Sequence, residues 1–228
     1  MNIDNGVAAP AGMRVEEYAR IGELLHRDKP RRTLEIGMAN GGSTVRICNA
    51  HKANGVGGQH TAIDPFQSAE AGWKGAGHAA VAKAGYTNIV RVIEDFDYLA
   101  LPQLVRDRER FDFVLIDGWH SFDYTLIDFF YTDLLLEPGG VLAIHDTGWP
   151  AVHKVCRFIE THKPYDLLSP SPSVTLNGLL ARMGRRFGQM AGLTDAAAAR
   201  SRRTEWYSLT AYRKRSDQQV ADDFHATF

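Results

Sequence analysis

Residues 34–44 read LEIGMANGGST, an acid held among aliphatic residues and followed at once by a turn too rich in glycine to be core. A short apolar run ending on glycine predicts a buried strand, and the spacing of apolar residues in STVRICNAHK (43–52) predicts a helix directly after it. Strand, glycine turn and helix in that order form the unit from which parallel sheets are assembled.

The same alternation continues on both sides. VEEYARIGELLHR (15–27) has helical spacing and precedes the first strand, while TAID (61–64) reads as strand two. A loop and helix over 66–85 lead to NIVRVIE (88–94) as strand three, and YLALPQLVRDR (98–108) is helical again. FDFVLID (111–117) is a continuous apolar run, as expected of a central strand covered on both faces. SFDYTLIDFFYTDLLL (121–136) reads as helix, PGG (138–140) as punctuation, VLAIHD (141–146) as strand and AVHKVCRFIETH (151–162) as helix. Short connections and right-handed crossovers then imply an α/β, doubly wound, mostly parallel sheet with helices on both faces.

After Pro164 the pattern changes. A Ser/Pro loop (167–174) leads into LNGLLARMGRRFGQMAGL (176–193), an alanine run, and then WYSLTAY (206–212), whose alternation suits a late, antiparallel strand at the sheet edge. The expectation is one domain over residues 1–228 with a helical insertion or lid at 171–205. Leu176, Leu179, Leu180, Met183 and Phe187 share one face of that insertion, and Arg182, Arg185 and Arg186 lie elsewhere, a stripe that fits core packing or a contact in a homo-oligomer.

Composition excludes several classes. At 228 residues one substantial core suffices, and a net charge of -1 gives no global basic field for a nucleic-acid backbone. The two cysteines, Cys48 and Cys156, lie in apolar helical stretches without CxxC or Cys/His spacing, so reduced buried thiols in a cytoplasmic protein are expected. The first residues lack a basic segment followed by an apolar run, and nowhere do about eighteen apolar residues follow one another, so neither export nor a transmembrane segment is expected.

In open parallel sheets ligands collect beyond the carboxyl ends of the strands, and the turn after strand one lies at such a place. Gly37 can adopt backbone angles closed to other residues, Gly41 and Gly42 allow close approach to the main chain, and Ser43 can cap the helix and donate to an anion. The register is neither that of a dinucleotide turn nor that of a phosphate loop. Asp64, ending strand two, can accept both hydroxyls of a ribose, and Glu35 can position a cationic ligand group or the loop amides. Loop and acid together suggest an adenosine site.

The pattern filled by Glu35, Ile36, Gly37, Gly41, Ser43 and Arg46 resembles that of class I S-adenosylmethionine-dependent methyltransferases, in particular small-molecule O-methyltransferases of the catechol and caffeoyl-CoA type. The resemblance runs from about Met13 to Asp146 and implies a seven-stranded Rossmann-like methyltransferase fold. It implies that Gly37 and Ser43 meet the methionine end of S-adenosylmethionine, that Asp64 meets its ribose, and that Phe96 and Asp97 frame its adenine. Met38, Ala39 and Asp117 complete the implied cofactor set.

A second constellation follows strands four and five. In LIDGWHSFDY (115–124) Asp117 ends the strand and His120 comes three residues later; in VLAIHDT (141–147) His145 and Asp146 end the next strand at the same edge. A strand-terminal carboxylate suits a hard cation and a histidine beside it suits a base, although an Asp-Gly turn by itself is most often only a turn. Metal-dependent O-methyltransferases, including those acting on antibiotic sugars, resemble this arrangement, which implies Asp117, His145 and Asp146 as metal positions and His120, with Asp117, as catalytic. His145 stands where those relatives carry a carboxylate, and imidazole favours Mn²⁺, Fe²⁺, Ni²⁺ or Zn²⁺ over Mg²⁺. The expected chemistry is O-methylation of a small-molecule acceptor, with a divalent cation, Mg²⁺ or Mn²⁺, left open. One alternative at the cluster is that His145 does not ligate, Asp146 accepts from the substrate and His120 is the sole base; the alternatives in function are an N-methyltransferase without metal and a nucleotide-dependent enzyme of another class such as an NAD-dependent oxidoreductase.

Overall fold

The computed structural model describes residues 12–70, 72–168, 209–218, 221 and 224–228. The proposed insertion at 171–205 lies outside them, as do Trp206 and Tyr207. The chain runs α1 (Val15–Asp28), β1 (Arg32–Ile36), α2 (Gly42–Asn54), β2 (Gln59–Ile63), α3 (Ala76–Ala84), β3 (Val90–Ile93), α4 (Asp97–Arg106), β4 (Phe111–Ile116), α5 (Phe122–Leu135), β5 (Leu136–Ile144), α6 (Pro150–His162), β6 (Tyr165–Leu167) and β7 (Thr210–Lys214). The seven strands form one sheet in the order β3-β2-β1-β4-β5-β7-β6. Strands β1 to β5 pair in parallel, whereas β7 is antiparallel to both β5 and β6.

The late strand is therefore present but does not close the sheet. It is inserted between β5 and β6, and the three-residue β6, which the sequence reading passed over, forms the edge. The strand is buried on both faces there, since the neighbouring Ala211 and Tyr212 are each fully buried, and Tyr212 packs edge-on against Tyr165, 6.5 Å away.

Side-chain parity along the strands divides the core into two layers. Leu34, Ile36, Val114, Ile116, Leu142 and Ile144 face α4, α5 and α6, where Leu101, Leu104, Phe129, Val155 and Ile159 meet them. Phe113, Leu115, Val141 and Ala143 face α1 and α2, represented by Ile21, Leu24, Leu25 and Ile47. Each such side chain contributes ~1.5–3 kcal/mol by leaving water. On β1 the residues of the second face are Thr33 and Glu35, and there the layer is polar: Thr33 Oγ1 lies 3.0 Å from His51 Nε2 and 2.8 Å from His60 Nδ1, and His60 Nε2 lies 3.3 Å from Glu35. Buried polar groups are tolerable when joined into such a chain. Cys48 and Cys156 are buried and free, on α2 and α6.

The winding direction reverses between β1 and β4, so the crevice at their carboxyl ends is the topological switch point.

Candidate active site

Three strand ends are fastened to one another at that crevice. The Gly37 N–H donates to Ile63 O at 2.9 Å and the Asp117 N–H to Ile36 O at 2.8 Å. Gly37 has φ +89, and a Cβ there would meet the Asp117 carbonyl and lie 2.6 Å from its carbon, so only glycine fits. Ala39, also left-handed at φ 49, donates its N–H to Asp64 Oδ2 at 2.8 Å, while Phe66 N–H donates to Asp64 Oδ1 at 2.8 Å. Gln67 Nε2 donates to Ala39 O at 2.7 Å and to Asp64 Oδ2 at 3.1 Å. Asp64 thus ties the loop after β1 to the loop after β2.

A cavity of about 370 Å³ opens over these loops, bordered by Gly37, Ala39, Asp64, Phe96, Asp97, Asp117 and His120. Its rim is aromatic. Phe66 and Phe96 meet edge-on at 5.9 Å, Phe96 stacks on Tyr98 at 5.2 Å, and Trp119 stands 62% exposed beside Tyr124. Exposed rings around a concave site supply flat apolar contact for a planar ligand. A larger cavity, about 540 Å³, lies at the opposite edge of the sheet near Arg32 and Arg91. Both of those arginines are bonded to Glu109, and none of the strand-terminal acids or imidazoles reaches that edge.

Not every loop residue faces the cavity. Glu35 is fully buried on the α2 side, accepting from Thr44 Oγ1, and its Oε1 has no hydrogen-bond partner among the described residues. The Met38 side chain packs with Cys48, Ala62, Val81 and Tyr86 in a small core of its own. The close approach allowed by Gly42 is made by the Tyr18 hydroxyl, and that allowed by Gly41 by Gly77 and Ala80 of α3, so both glycines serve internal packing. Ser43 is buried in the first turn of α2.

At the other end of the crevice four side chains converge. Donor atoms of Asp117, His120, His145 and Asp146 all lie within 4.8 Å of one another. His145 Nδ1 is 2.8 Å from Asp117 Oδ1 and 3.6 Å from Asp146 Oδ2; His120 Nε2 is 3.1 Å from Asp146 Oδ2 and 3.9 Å from Asp117 Oδ1. His120 Nε2 is shielded from solvent yet not aligned for a hydrogen bond with either acid. Its ring stacks on Trp149 at 5.9 Å. Asp146 holds φ 52, a strained value for a non-glycine residue and one that turns its carboxylate toward His120.

The charges reinforce one another. Asp117, then Asp146, pull the His120 pKa up to about 9. Burial works against a charged His145, yet Asp117 and Glu17 on its two nitrogens outweigh burial and carry it up to about 10. Burial also opposes the Asp146 carboxylate, but His120 and His145 hold it below the ordinary value. Glu17, which nothing in the local sequence marks, enters from α1: its Oε2 lies 3.2 Å from His145 Nε2, across 128 positions of chain. Parity brings it there, because His145 continues the Val141, Ala143 face that α1 covers.

Comparison with known proteins agrees with this architecture. An O-methyltransferase from Bacillus cereus, solved in complex with SAH, superposes with a TM-score of 0.63 at 15% identity, over 90% of this chain and 84% of that one. The O-methyltransferase TomG from Streptomyces achromogenes, solved with SAM, gives 0.64 at 16% identity, over 90% and 82%. The SAH-bound methyltransferase PaMTH1 from Podospora anserina gives 0.58 at 16% identity, over 87% and 78%. At such identities the likeness establishes a shared fold. No curated protein matches the chain. A family model described as a methyltransferase domain matches residues 34–147, from the strand before Gly37 to the residue after Asp146. That span is half of the chain and holds both the glycine turn and the acid–imidazole cluster, and by it the chain belongs to the methyltransferase-domain family.

Proposed function

We propose that the protein transfers a methyl group from S-adenosylmethionine to a hydroxyl of a small molecule. One observation carries the reading: Gly37, Ala39 and Asp64 border the same cavity as His120 and Asp117, so a donor site and a proton acceptor share one space. The fit to an adenosine rests on a cavity bordered by Gly37 and Ala39, an acid at the end of β2 and an aromatic rim. The loop at Gly37–Ala39 with Ser43 would hold the methionine end, Asp64 the ribose, and Phe96 with Asp97 the adenine. When bound, the sulfonium supplies an electrophilic methyl group.

The protein's own work is alignment and proton removal. A hydroxyl is a poor nucleophile until it loses its proton, and His120 is the acceptor placed to take it. Asp117 and Asp146 orient the ring and, by raising its pKa to about 9, keep it largely protonated at neutral pH. The donor set of two carboxylates with His145 fits a divalent ion held by Asp117, His145 and Asp146. Such an ion, when bound, acidifies a coordinated hydroxyl and offsets the two carboxylates that retain the His120 proton.

Separate calorimetric titrations with S-adenosylhomocysteine and with NAD test the donor. Binding of the first and not the second supports the reading; the reverse overturns it. Product detection by mass spectrometry across a panel of alcohols, phenols and amines, with and without a chelator, then tests the acceptor atom and the ion. Full activity in chelator overturns the part given to the ion, and with it the account of how His120 is freed to accept a proton.

A further inference from the structure

An imidazole binds a cation through one nitrogen only, and the partner of the other nitrogen decides which one is available. In His145 both nitrogens have a carboxylate nearby. Nδ1 faces the cluster, 2.8 Å from Asp117 Oδ1 and 3.6 Å from Asp146 Oδ2; Nε2 faces away from it, 3.2 Å from Glu17 Oε2. We propose that Glu17 is a positioning residue: by accepting a hydrogen bond from Nε2–H of His145 it fixes the ring so that the Nδ1 lone pair points among Asp117, His120 and Asp146, as a donor to a divalent first-row transition ion rather than Mg²⁺. This rests on the ion assigned to that cluster in the proposed function.

Three features support the assignment. Glu17 is 1% exposed although it lies in the first turn of α1, where a capping glutamate needs no burial. Taking a carboxylate out of water is costly unless donors meet it, and His145 is one such donor from outside its own helix. The same oxygen, Oε2, accepts the Arg14 N–H at 2.7 Å, so the N-terminus of α1 holds the side chain in place against His145. Finally, the cluster offers two imidazole nitrogens and two carboxylate oxygens. Mg²⁺ prefers all-oxygen surroundings, whereas Mn²⁺, Co²⁺ and Zn²⁺ accept nitrogen.

The decisive substitution is Glu17→Met, which keeps the length of the side chain but removes the oxygen that meets both the Arg14 N–H and His145 Nε2. Chelator-treated wild-type protein and the variant are titrated with Mn²⁺, Zn²⁺ and Mg²⁺ alone by calorimetry, and with Co²⁺ followed by its visible absorption. The expected result is tighter binding of the transition ions than of Mg²⁺, a ~10–100-fold weakening of that binding in the variant, and a changed Co²⁺ spectrum, at unaltered S-adenosylhomocysteine affinity. Equal metal affinity and identical Co²⁺ spectra in the two proteins overturn the proposal, as does a wild-type protein that binds none of the ions. Should the variant fold poorly, ¹⁵N resonances of the His145 ring in Zn²⁺-loaded wild-type protein decide the matter. A protonated Nε2 and a metal-bound Nδ1 are expected; the opposite tautomer refutes the role of Glu17. Loss of S-adenosylhomocysteine binding in wild type would sink the methyl-donor reading alone, since the metal titrations read Glu17 separately.

Discussion

Replacing Gly37 by alanine tests the joint on which the crevice depends. At φ +89 an L residue costs about 1–2 kcal/mol in the backbone alone. The new methyl would also press on main chain that cannot swing aside, with the Asp117 carbonyl carbon at 2.6 Å and the Gly118 Cα at 2.9 Å. Overpacking of this kind adds about 1–3 kcal/mol, so the total is about 2–5 kcal/mol. For a chain of this size that lowers Tm by roughly 5–15 °C. Relief requires the loop after β1 to move away from the end of β4, and both line the cavity. S-adenosylhomocysteine affinity should therefore fall about 10-fold or more, an effect of at least ~1.4 kcal/mol. Gly55→Ala is the matched control, because Gly55 is also left-handed, at φ +65, but has nothing within 4 Å of an added Cβ. It should show only the backbone cost, with unchanged ligand affinity. Denaturant unfolding and calorimetric titration of both variants give the comparison. If Gly37→Ala matches Gly55→Ala in stability and binds ligand like wild type, the steric reasoning is wrong.

His120→Ala should lower kcat by ~10²–10⁴ while leaving S-adenosylhomocysteine affinity within about two-fold; wild-type turnover across the pH range would remove His120 as the base. Burial, with His60 adding to it, depresses the His51 pKa from 6.5 to about 4. The neutral ring is therefore no liability above pH 6.5, and stability is lost as pH falls from 6.5 through 4, by roughly 3 kcal/mol. Denaturation midpoints of wild type and His51→Gln compared between pH 7 and 4 should converge toward acid, and parallel curves would contradict the assignment. Burial, then Asp97, pushes the Asp128 carboxyl well above its usual range, and among the described residues neither of its oxygens has an aligned hydrogen-bond partner. A raised acid costs stability as pH rises above the unfolded carboxylate value. Asp128→Asn should consequently lose less Tm than wild type between pH 4 and 8, and an equal or steeper loss would show that Asp128 ionises freely.

Much of the site was legible because local chemistry announces itself locally. Gly37 follows an apolar strand, Asp64, Asp117 and Asp146 each end one, and His120 and His145 stand beside them; all except His145 and Asp146, which neighbour the cavity through the cluster, border the cavity itself. Parallel strands whose polar residues lie at their carboxyl ends must bring those residues to one edge, so their meeting needs no tertiary information. The same local logic overreached at Gly41 and Gly42, where freedom of approach was read as room for a ligand and is used by Tyr18 and α3.

The alternation of strands and helices, the parallel sheet and the edge at which its chemistry collects were all readable from residue order, since each follows from the periodicity of a short segment or the residue at its end. Which neighbours those segments take was settled by packing. It turned Glu35 and Met38 away from the cavity, put β7 between β5 and β6, and set Glu17 behind His145. These outcomes depend on which face a strand presents and which helix covers it, and a contact across 128 positions leaves no trace in the spacing of either partner.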